Sequence, residues 1–76
     1  MLNQRTGFKI AVIDPPLGFR FVVVPREQVP SVHELFLAAG IDHTVPDLPD
    51  GPAELIIEVA KHCEVEKVQE VLDTVH

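Results

Sequence analysis

The sequence has no tryptophan, no tyrosine, a single methionine and a single cysteine. A lone Cys63 excludes an internal disulfide, so no covalent staple compensates for a length of 76 residues. A reducing compartment suits such a chain, and a cytoplasmic location is the expectation. Positive charge is also scarce: six Lys plus Arg stand against twelve Asp plus Glu, for a formal net charge of −6. That sign opposes the phosphate backbone and anionic lipid. With four Phe as the only large aromatic platforms and no basic stripe between them, no nucleic-acid partner is expected. Long hydrophobic runs are missing as well. Ile10 to Ile13 is cut off by Asp14, Pro15 and Pro16, short of a secretory core, and nothing approaches the roughly 18 to 20 apolar residues of a membrane span. No membrane partner is expected.

Enzyme signatures are equally thin. There is no G-x-G-x-x-G, no Walker-type lysine loop and no C-x-x-C, and no two histidines lie four residues apart. The hydroxyl residues are Thr6, Ser31, Thr44 and Thr74, without an evident base and orienting partner. The candidate metal ligands are His33, His43, His62, His76, Asp42, Asp47, Asp50 and Cys63. His62 and Cys63 are adjacent, so on a regular backbone their side chains diverge. No metal, no cofactor and no catalytic residue is expected.

What is present is a foldable chain, 46% hydrophobic, that reads as one domain over 1–76. Residues 1–7 are expected to be flexible. Phe8 to Ile13 alternates as a strand, Asp14-Pro15-Pro16-Leu17-Gly18 is turn chemistry, and Phe19 to Val24 alternates again before Pro25 stops the ladder. Val29, Val32, Leu35, Phe36 and Ala39 recur at helical spacing up to Gly40. Ser31 with Glu34 has the spacing of a capping box at that helix's start. Ile41 to Val45 is a weak third strand, and 46–52, with three prolines and a glycine, is a loop. Ala53 to Ala60 supplies the fourth strand, and Glu64 to Val75 a second helix with Val65, Val68, Val71, Leu72 and Val75 on one side.

This order predicts an α+β fold: a two-layer ferredoxin-like α/β plait in the permuted order β-β-α-β-β-α, its antiparallel sheet carrying both helices on one face. A less regular two-layer α+β domain built from the same elements is the alternative. The stretch from Val29 to Val45, VPSVHELFLAAGIDHTV, resembles the first half of an ACT-type regulatory domain, which implies the same plait. Pro25-Arg26-Glu27-Gln28-Val29-Pro30 does not match the acidic-proline-glycine turn with which such domains bind amino acids, so no ligand residue is carried over.

The alternation assigns Phe8, Ile10, Val12, Phe19, Phe21, Val23, Leu55, Ile57 and Val59 to the helix-covered face. Lys9, Ala11, Ile13, Arg20, Val22, Val24, Glu54, Ile56 and Glu58 then fall on the other face. Ile13, Val22, Val24 and Ile56 form its apolar centre, and Lys9, Arg20, Glu54 and Glu58 its charged rim, the anatomy of an association surface. The expected function is a non-enzymatic interaction or regulatory module that forms a homodimer or docks on a larger protein through that face. The alternative is a sensor for a small anion or metabolite at the turn into the first helix, using Arg26, Ser31 and the amide of Val32.

Overall fold

The computed structural model describes residues 1–46 and 51–75. Asp47, Leu48, Pro49, Asp50 and His76 lie outside the described residues, and with them most of the expected proline-rich loop and three of the candidate ligands. The described residues form β1 (Val12–Ile13), β2 (Arg20–Pro25), a single 3-10 turn (Arg26–Gln28), α1 (Val29–Ala39), β3 (His43–Thr44), β4 (Glu54–Val59) and α2 (Val65–Asp73). The chain is thus a small α+β protein with a four-strand sheet in the order β1-β2-β4-β3, antiparallel throughout.

Register decides what each strand residue faces. Val12 opposes Val22, Ile13 opposes Phe21, Val22 opposes Ile57 and Val23 opposes Ile56. Directly opposed residues share a face, so Val12, Val22, Val24, Leu55, Ile57 and Val59 form one side. That side packs on α1 through Val29, Val32 and Phe36 and on α2 through Val68 and Leu72, joined by Ile10 and Ile41 in one core. Both helices therefore cover the same face.

This corrects the facing expected for the second strand. Val22 and Val24 are fully buried under the helices, whereas Phe21 and Val23 are half-buried on the open side. The strand is apolar on both faces, so its alternation carries no sign. Only its pairing with β4 fixes the sign, because Glu54 and Glu58 must face water. Phe8 and Phe19, both expected in the core, are 76% and 60% exposed.

The helix boundaries follow local chemistry. α1 begins two residues before the expected cap. Gln28 takes the N-cap position with no side-chain cap bond, and Pro30 sits in the first turn, where its missing N–H costs nothing. Ser31 is therefore inside the helix and exposed, not capping it. Gly40 closes α1 at φ 72°, with its N–H donating to the Leu37 carbonyl and the Ile41 N–H reaching back to the Phe36 carbonyl at 2.9 Å. A side chain at that left-handed position would be strained.

The expectation of flexibility for residues 1–7 meets a hydrogen-bonded hairpin. Leu2 bridges Lys9, Asn3 Oδ1 accepts from the amides of Arg5 and Thr6, and the buried Gln28 side chain grips the Gln4 amide and the Leu2 carbonyl, both at 2.8 Å. No helix among the described residues is long and apolar enough to cross a membrane.

Candidate functional site

Exposed apolar side chains lie at the N-terminal hairpin (Leu2, Phe8), the β1–β2 turn (Leu17), α1 (Leu37) and the open face of the sheet (Ile13, Phe19, Ile56), and the open face is the patch that also holds half-buried Phe21 and Val23. Ile13 at 43% and Ile56 at 51% exposure flank half-buried Phe21 and Val23, and Phe19 stands at the entry to β2 with the Lys61 ammonium 5.9 Å from its ring centroid. Phe19 and Lys61 also border an open cleft of about 300 Å³ with Asp42, His43, Thr44 and Glu58 at the β3 side of the sheet. Along β4 the outward residues run Glu54, Ile56, Glu58, and Lys61 follows the strand's end.

Four of the eight residues expected at an interface hold the open face as anticipated, namely Ile13, Ile56, Glu54 and Glu58. The other four are elsewhere. Val22 and Val24 are core residues. Lys9 turns to α2 and pairs with Asp73 at 2.9 Å. Arg20 opposes Val59 on the helix side, where its guanidinium bonds Asp14, the Lys61 carbonyl at 2.8 Å and the Cys63 carbonyl. A fork with several fixed donors suits that junction, which ties the β1–β2 loop to the segment entering α2. The aromatic part of the face, Phe19 and Phe21, was missed by the sequence reading. The glutamates of β4 are the signal that locates it.

The edges of the sheet are less available than its face. On the outer side of β1 the Gln69 side chain from α2 accepts the Val12 N–H at 2.8 Å and donates to the Ile10 carbonyl at 3.2 Å. One amide thereby occupies the donor and acceptor that an added strand would use. β3, at the opposite edge, is two residues long and Pro46 follows closely, a second feature that blunts pairing.

The turn into α1 does not gather its expected ligand residues. Val32 is fully buried, and the Arg26 N–H is spent on the Ala53 carbonyl at 2.8 Å. Ser31 borders a separate cleft with Met1, Leu2, Gln4, Glu27, Gln28 and Val75. Glu27 beside it, paired with Arg5 at 2.9 Å, brings negative charge to a place where an anion was envisaged.

The structure does bring polar groups together where the sequence suggested divergence. The irregular turn at 61–63 sets the Cys63 sulfur 3.8 Å from His62 Nδ1, and His62 Nε2 lies 2.7 Å from the Asp42 carboxylate. The carboxylate fixes the imidazole with its Nδ1 lone pair toward sulfur, but His62 and Asp42 are largely exposed, and water screens the arrangement. His33 Nδ1 and His43 Nε2 meet at 2.7 Å between α1 and β3. Among the described residues no three His, Cys, Asp or Glu converge as metal ligands. No protein family, no curated protein and no solved structure matches the chain significantly.

Proposed function

We propose that this chain is a non-enzymatic interaction module, a permuted ferredoxin-like plait that associates with a second copy of itself through the open face of its sheet. The observation that carries the reading is the face itself: Ile13, Phe19, Phe21, Val23 and Ile56 lie together on the side that neither helix covers. A lone small sheet needs only enough outward polarity to stay soluble, and two large aromatics with two isoleucines exceed that need.

A second copy is favoured over an unlike partner by the distribution of charge. Glu54 marks one end of the β4 row and Lys61 the other. Two copies stacked face to face about a two-fold axis bring their apolar centres together, and the rim carries both signs, Glu54 and Glu58 along β4 and Lys61 beyond its end, so each copy offers a cation to its partner's glutamates. Face stacking is also the geometry left over once Gln69 occupies one edge and the other is short. Association further adds apolar burial to a core limited by the length of the chain.

Light scattering over a concentration series, extending to about 0.1 mM, tests this. The unmodified protein is expected at twice the chain mass at the upper end. The variant Ile13→Lys/Ile56→Lys, which alters two exposed side chains and no core residue, is expected to remain monomeric with an unchanged circular-dichroism spectrum. A monomer at every concentration removes self-association. A dimer that survives both lysines places the contact elsewhere.

A further inference from the structure

We propose that His33 and His43 form a proton-operated latch between α1 and β3, closed while the pair holds at most one extra proton and opened by the second. The geometry fixes the proton count. His43 Nδ1 lies 2.7 Å from the Ile41 carbonyl, which can only accept, so Nδ1 carries hydrogen. In the neutral ring His43 Nε2 is then a bare acceptor. His33 Nδ1, 2.7 Å away, must be the donor. Each histidine is thereby held in its Nδ1–H form, and His33 Nε2 is left as the base of the pair.

A first proton leaves this contact intact. On His33 Nε2 it makes an imidazolium that still donates from Nδ1, and the bond becomes charge-assisted. A second proton has no such place. His43 Nδ1 is already protonated, so the added hydrogen must go on Nε2, where it faces the Nδ1–H of His33 across a distance made for one hydrogen. The two rings then repel and separate.

The consequence is local to β3, because Ile41 before it lies in the core and Val45 after it packs against that core. The strand is two residues long, pairs only with the last part of β4, and its flank is tied by the Ala60 N–H donating to the Asp42 carbonyl at 3.0 Å. The His43 ring also packs edge-on against Phe36, 5.2 Å between centroids, and this contact is lost if the ring swings away. The charged groups sharing His43's cleft are Asp42, Glu58 and Lys61. On α1, the residues one turn from His33 (Val29, Pro30, Phe36 and Leu37) carry no charge, and Glu34 is its sequence neighbour.

Long-range ¹⁵N correlation spectra of the histidine rings, recorded from about pH 8 to about pH 4, test the latch on the intact chain. At the upper end both rings are expected as Nδ1–H tautomers. Once both rings are protonated, the Ala60 amide should exchange about tenfold faster after correction for intrinsic rate. In His33→Gln the amide donor to His43 Nε2 is kept and the base is removed, so β3 should stay closed over the same range. An Nε2–H tautomer for His43 at the upper end overturns the proposal. So does opening of β3 in His33→Gln over the same range as in the unmodified protein. The measurement is made below the concentration at which any dimer forms, so its outcome is separate from that of the association test.

Discussion

Phe36 and Phe8 carry the same side chain and stand at opposite ends of the burial range, 0% and 76% exposed. Phe36 lies on the inner stripe of α1 with Val29 and Val32, where the 3.6-residue period leaves one answer. Phe8 sits where the hairpin returns, its N–H bonded to Thr6 Oγ1, and the ladder that would have carried it inward begins only at Val12. Phe36→Ala is expected to cost about 3–5 kcal/mol, which leaves a chain of this size largely unfolded. Phe8→Ala should stay within about 0.5 kcal/mol. Urea denaturation of the two variants checks the pair, and comparable losses would place Phe8 in the core after all.

At the scale of elements, the order of strands and helices was legible from periods bounded by proline, glycine or charge, but not every boundary: β1 spans only Val12–Ile13 of the alternating Phe8–Ile13, Pro25 pairs within β2, and β3 has no clear period. α2 is the clearest case: Val68 and Leu72 buried, Glu66, Glu70 and Asp73 outward. The open face was half legible. β4 alternates glutamate with Leu55, Ile57 and Val59, so its side is unambiguous, whereas β2 is apolar at Phe21, Val22, Val23 and Val24 and reveals its side only in register with β4. The state of the β1 edge was not legible at all, because it depends on a glutamine 57 residues away from Val12. Gln69→Ala frees the Val12 N–H and the Ile10 carbonyl to water, at an expected cost of about 1–2 kcal/mol. Val12 amide exchange should accelerate and the β1 edge become competent for pairing. Retained protection of Val12 in that variant would show that the edge is held by something other than the Gln69 amide.

Across the whole molecule, two carboxylates fasten the same segment. Lys9, by hydrogen bonding Asp73, holds that carboxyl below its ordinary value, and Gln69 assists. Arg5 does the same to Glu27. Both contacts join the 2–9 hairpin to the body, one through α2 and one through the turn after β2. For a carboxyl whose folded value is depressed, the stabilisation is present above the unfolded value, about pH 4, and is lost as pH falls through the lower folded value. Arg5 and Lys9 keep their charge throughout, so the change is carried by the acids. Acidification below about pH 4 is therefore expected to loosen the hairpin at its two ion pairs while Gln28, which is uncharged, still holds the Gln4 amide and the Leu2 carbonyl. The Glu27→Gln/Asp73→Asn variant should already show faster exchange at the Asn3, Gly7 and Ile10 amides near neutral pH, with a flatter acid limb than the unmodified protein. Both pairs are solvent-exposed, so added salt should move the unmodified protein toward the variant. Identical acid limbs in the two proteins would mean that these ion pairs do not fasten the hairpin, and that its uncharged contacts, the buried Gln28 amide and Met1 packed on the core among them, hold it.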